Sequence, residues 1–99
     1  MALTIEFGRR STNQLQKILA FYDERNGSDD YSRRLLRCLL EDLQRLSQMP
    51  TASSPSTRLD VRFFYLMGFT IVFRYNRRNL TVLSIRLSAR KPLKVYQKK

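Results

Sequence analysis

Residues 59–87 read LDVRFFYLMGFTIVFRYNRRNLTVLSIRL, three strand-like runs separated by two turn signals. LDVRFFYLM precedes Gly68, FTIVFRY follows it, and the polar turn Asn76-Arg77-Arg78-Asn79 leads into LTVLSIRL. Each run is dense in Val, Ile, Leu, Phe, Tyr and Thr, residues that fit a pleated, half-buried surface. The pattern predicts an antiparallel meander. Strand side chains alternate between faces, so Phe69, Ile71, Phe73 and Tyr75 share one face of the middle strand and Thr70, Val72 and Arg74 the other. On the last strand, strict alternation sets Leu83, Ile85 and Leu87 against Leu80, Val82, Ser84 and Arg86. One face of the sheet is apolar and needs a cover, while the other carries arginines among small or aliphatic residues.

The cover is legible upstream. Leu3 to Phe7 alternates as a short first strand, with Ile5 facing oppositely to Glu6, and Gly8, Arg9 and Arg10 end it. Ser11 or Thr12 then offers an N-cap, and Leu15, Ile18, Leu19 and Tyr22 form one stripe of a helix that stops at Asn26-Gly27. Ser28, Asp29 and Asp30 open a second helix, with carboxylates at its positive end. Along it Leu35, Leu36, Leu39, Leu40, Leu43 and Leu46 span a broad apolar arc opposite Arg33, Arg34, Arg37, Glu41, Gln44 and Arg45. The short link predicts an antiparallel helical hairpin. MPTASSPST, residues 49–57, lacks periodicity and reads as a flexible loop. Downstream, Pro92 cannot join a strand ladder, and residues 93–99 form a basic C-terminal tail with one aromatic, Tyr96. The whole chain, 1–99, reads as one small α+β domain.

Charge is distributed unevenly along it. Of 19 Lys and Arg, nine lie in residues 1–60 beside all eight acidic residues, a balance of +1. Residues 61–99 hold the other ten and no acid, so all but one unit of the net +11 sits on the meander and tail. That footprint suits an anionic partner. The lone Cys38 excludes an intramolecular disulfide, and the lack of histidine leaves no support for a metal site, a metal cofactor or His-based catalysis. No apolar run approaches membrane-spanning length and no signal region opens the chain, so a cytoplasmic protein that needs no small-molecule cofactor is expected.

The order strand, helix, helix, three-strand meander, with Gly68-Phe69, the run FTIVFRY and the Arg-x-Pro exit at Arg90–Pro92, resembles the RelE/ParE superfamily of bacterial toxins from type II toxin-antitoxin modules. Gly68, Phe69, Ile71, Val72 and Phe73 match the Gly-aromatic strand entry typical of the family's ribosome-dependent RNases. The resemblance implies a β-α-α-β-β-β fold, an antiparallel sheet covered on one face by the helical hairpin. The family arginine just beyond the last strand falls on Arg90 and its tyrosine on Tyr96. Its further arginine falls on Thr70, and its two lysines fall on Val61 and Phe63.

In that RNase branch Arg90 would hold the phosphate and Tyr96 would act as acid or base in metal-independent cleavage of mRNA on the ribosome, inhibiting translation. Arg62, Arg74, Arg86, Lys91 and Lys94 would bind nucleic acid. The ParE branch lacks the catalytic set and resembles inhibitors of DNA gyrase. The implied partner in either branch is an antitoxin whose acidic or amphipathic segment wraps the hairpin and basic sheet. A third reading, independent of the resemblance, is a small basic nucleic-acid-binding domain in which Phe64, Tyr65 and Tyr75 stack bases.

Overall fold

The computed structural model describes residues 2–88. Strand β1 (Thr4–Phe7) leads into helix α1 (Arg9–Asn26) and helix α2 (Asp30–Gln48). A 3₁₀ turn at Pro50–Ala52 and the two-residue strand β2 (Ser54–Pro55) follow, then β3 (Val61–Leu66), β4 (Phe69–Tyr75) and β5 (Asn79–Leu87). The five strands form one sheet in the order β1-β5-β4-β3-β2. The meander is antiparallel as expected; β1 joins parallel to β5, which makes the sheet mixed rather than antiparallel throughout. The 49–57 stretch connects α2 to the sheet, but it is held by the 3₁₀ turn and by pairing of Ser54 with Phe63 and Pro55 with Arg62.

Both hairpin turns have a chemical cause. Met67 (φ 50°) and Gly68 (φ 87°) take up left-handed backbone between the paired residues Leu66 and Phe69, the conformation a two-residue hairpin requires. At the second turn Asn76 Oδ1 accepts hydrogen bonds from the Arg78 and Asn79 backbone N–H groups, each at 2.8 Å.

Strict alternation fails on β5. Phe73 pairs with Val82 and Val72 with Ser84, so Leu83 has no residue opposite and forms a β-bulge. The bulge flips the strand. Leu80 and Val82 share the apolar face with Phe73 and Tyr75, and beyond Leu83 so do Ile85 and Leu87, opposite Ile71 and Phe69. Ser84 and Arg86 are turned to the other side with Val72 and Thr70. The sequence expectation grouped Leu80 and Val82 with Ser84 and Arg86; one extra residue corrects it.

The bulge is anchored by α1. That helix begins at Arg9, two residues before the expected cap, and Gly8 occupies the N-cap. Ser11, fully buried, donates its hydroxyl to the Val82 carbonyl at 2.7 Å, and the Gly8 N–H donates to the same carbonyl at 3.0 Å. A Cβ on Gly8 would stand 3.3 Å from that oxygen, so the close approach favours glycine. Further along, the Ile85 N–H, beyond the reach of β1, donates to Gln14 Oε1 at 2.7 Å.

The core lies between the sheet and α2. Leu35, Leu39, Leu43 and Leu46 meet Phe69, Ile71, Phe73, Leu80, Val82 and Ile85, and each fully buried aliphatic side chain contributes roughly 1.5–3 kcal/mol. Leu40 lies outside this contact at 50% exposure, so the buried arc of α2 is narrower than its leucines suggest. Helix α1 is shallower: Leu15, Ile18, Leu19 and Tyr22 are only half-buried. Tyr22 bridges the helices to the sheet, 4.6 Å from the Tyr31 ring and 6.3 Å from Phe69. Burial, reinforced by Tyr22, raises the Tyr31 phenol above its usual range. Among the described residues no helix is long and apolar enough to cross a membrane.

This packing sets a contrast between two leucines three residues apart on α2. Leu43→Ala, at a site with no exposure, is expected to cost about 2–5 kcal/mol, and Leu40→Ala within about 0.5 kcal/mol. Urea unfolding midpoints measure both; equal losses would contradict the helix orientation.

Candidate functional site

The face of the sheet turned away from the helices is built from alternate residues of β3, β4 and β5. Cross-strand pairing arranges them in rows. Tyr65, Thr70 and Arg86 form one, Phe63, Val72 and Ser84 the next, and Val61, Arg74 and Thr81 the third, extended on β1 by Glu6. The middle row sets an aromatic and an aliphatic side chain beside the buried Ser84. Arg86 and Arg74 flank it, both exposed, and neither forms an ion pair among the described residues. The exposed Arg77 and Arg78 of the β4–β5 turn continue the positive charge beyond Arg74.

Phe63 and Tyr65 make an edge-on pair, ring centroids 5.6 Å apart at 74°. Tyr65 is 67% exposed. Thr70 and Ser88 share a 2.8 Å hydrogen bond between hydroxyls on the same side. Where the resemblance led to lysines, the open face therefore presents Val61 and Phe63, and in place of a further arginine it presents a hydroxyl engaged with Ser88.

Among the sequence candidates, Arg74 and Arg86 come together on this face. Arg62 does not. It pairs with Phe73 on the helix side, where Nε donates to Ser53 Oγ at 3.0 Å and Nη2 donates to the Thr51 and Ser53 carbonyls. Those bonds staple the 3₁₀ segment to β3 and occupy the guanidinium. Arg90, Lys91, Lys94 and Tyr96, with the rest of the 93–99 tail, lie outside the described residues. The proposed stacking residues divide as well: Phe64 and Tyr75 pack beside Phe73, at 6.2 and 6.5 Å, and Tyr65 alone of the three reaches the open face. Alternation along FFY separates Phe64 from Tyr65 and pairs Tyr65 with Phe63, a signal present in the sequence.

A second surface lies where β5 outruns β1. Gln14, Lys17, Ile18, Phe21 and Tyr22 of α1 face Phe69, Ile85 and Leu87 across an apolar groove. Phe21 is 54% exposed and Leu87 63%. Sequence periodicity missed this groove because Phe21 falls outside the stripe of α1.

Comparison with solved structures identifies this architecture elsewhere. A chain described as "Chromosomal ParDE TA system from P. aeruginosa" superposes with a TM-score of 0.72 at 20% sequence identity, covering 89% of this chain and 98% of its own. No family model matches the sequence, and no curated protein matches it. At that identity the likeness establishes the fold: this chain has a ParE/RelE-like α+β architecture, two helices packed on one face of a five-stranded mixed sheet.

Proposed function

We propose that this protein is the toxin of a type II toxin-antitoxin module and that it arrests growth by inhibiting translation, its open sheet face meeting ribosomal and messenger RNA. The observation that carries the reading is the pairing of a fold shared with a chain of a ParDE toxin-antitoxin system with a sheet face that is uncovered among the described residues and bears Arg74 and Arg86. Cations on a rigid sheet suit the phosphate backbone, whose binding releases counterions and weakens steeply with salt. In the RNase form of this reading Arg90 and Tyr96 complete the site, Arg90 holding the scissile phosphate and Tyr96 moving a proton. A second reading, ParE-like inhibition of DNA gyrase without catalysis, draws support from Val61 and Phe63, which put apolar surface where an RNase of this superfamily carries lysines.

Inducible expression in a bacterium tests the target. Wild type is expected to stop protein synthesis, and Arg90→Ala combined with Tyr96→Phe to restore it while remaining folded. Arrest by both proteins with translation initially intact would transfer the assignment to gyrase, and no arrest by wild type would overturn the toxin reading.

The partner in this reading is an antitoxin, and the α1–β5 groove is its anchor. An amphipathic acidic segment fits there: apolar side chains cover Phe21, Phe69 and Leu87 while its carboxylates meet Lys17 and the general excess of positive charge. Phe21→Asp is expected to weaken binding of the cognate antitoxin by on the order of tenfold or more and to leave growth arrest intact. Titration calorimetry reads the first effect and co-expression the second; unchanged affinity would remove the groove from the interface.

A further inference from the structure

We infer that the open sheet face is a platform for single-stranded nucleic acid, on which Tyr65 stacks a base at one end, in the row of Arg86, and Arg86 and Arg74 hold phosphates two rows apart. This deepens the reading of that face as the RNA-facing one and rests on it. Tyr65 is the exposed aromatic of the face among the described residues, 67% exposed, and the Phe63 ring packs against it in a T-shaped pair at 5.6 Å and 74°. An aromatic that is 67% exposed contributes little to the core, whereas Phe64 and Tyr75, from the same stretch, are turned inward against Phe73.

The spacing suits a strand of nucleic acid laid along β4. Arg86 lies in the row of Thr70 and Arg74 four residues further along, a separation of roughly 13 Å at 3.3 Å per residue. The Phe63–Val72 row fills the interval with apolar surface. Guanidinium forks match phosphate oxygens in geometry and charge, and neither arginine is engaged in an ion pair among the described residues. Unstacked bases offer π-faces to a tyrosine, whereas a duplex offers its phosphates and base edges. The platform therefore prefers single strands and tolerates sequence, because every base has a face to stack.

The test is fluorescence anisotropy of a labelled 12-nucleotide RNA of mixed sequence, and of its duplex, with the purified full chain across a salt series. Wild type is expected to prefer the single strand. Tyr65→Ala should weaken single-strand binding roughly tenfold with the salt slope retained, and Tyr65→Phe, which keeps the ring, should restore it. Arg74→Ala with Arg86→Ala should lower the salt slope by about 1.4.

Equal affinity for duplex and single strand, or wild-type binding by Tyr65→Ala, would overturn the platform and reduce the face to a general cation. Substitutions that leave RNA affinity unchanged but abolish growth arrest would assign the face to a protein target instead. The two readings fail separately: stacking without arrest by wild type sinks the toxin assignment alone, and arrest without stacking sinks this inference alone.

Discussion

The carbonyl of Val82 is the point on which the rest of the molecule depends. It accepts from the Gly8 N–H and the buried Ser11 hydroxyl, tying the end of β1 and the first turn of α1 to the middle of β5. The next residue, Leu83, is the bulge. A buried carbonyl with two donors is well satisfied, and the bonds hold in place a local disruption that would otherwise leave polar backbone exposed to the core. By shifting the register one residue, the bulge places Leu80 and Val82 before it and Ile85 and Leu87 after it against the helices. Without it, half of β5 would turn its apolar side chains outward and bring Arg86 inward.

The same shift creates the functional surfaces. It sends Arg86 to the open face, in a row with Thr70 and Tyr65, and it carries Leu87 to the helix side, where it joins Phe21 across the α1–β5 groove. One face of the sheet is thus cationic and aromatic, and the edge of the other is apolar and partly uncovered. The helices differ in a matching way. Helix α2 supplies the buried leucines that fix the fold, whereas α1 leaves its stripe half-buried and Phe21 exposed, keeping apolar surface at the position proposed for the antitoxin.

Much of this was legible in the residues, and the failures have physical causes. The three strands, both turns, the end of α1 and the helical cover follow from periodicity and turn chemistry, which act locally. The bulge leaves only a break of phase, apolar residues at 80 and 82 and then at 83, 85 and 87, which strict alternation reads as two opposed faces. Ser11 resembles a cap, but its hydroxyl satisfies a carbonyl 71 residues away. Arg62 carries the charge of a binding residue and is occupied by the 3₁₀ segment, a partner without sequence periodicity. The short strand β2 and the parallel pairing of β1 likewise depend on neighbours distant in the chain. At the candidate site alternation alone set Arg74 and Arg86 on one face, and the bulge removes Leu80 and Val82 from it. Arg90, Lys91, Lys94 and Tyr96 belong to the proposal and not to the described structure.

A single extra residue in β5 lets Leu80 and Ile85, which strict alternation would set on opposite faces, both enter the core. Urea unfolding of Leu80→Ala and Ile85→Ala, with the unpaired Leu83→Ala as the control, tests it most directly. Each of the first two is expected to cost about 2–5 kcal/mol and Leu83→Ala less than either. A midpoint near that of wild type for either Leu80→Ala or Ile85→Ala would contradict it.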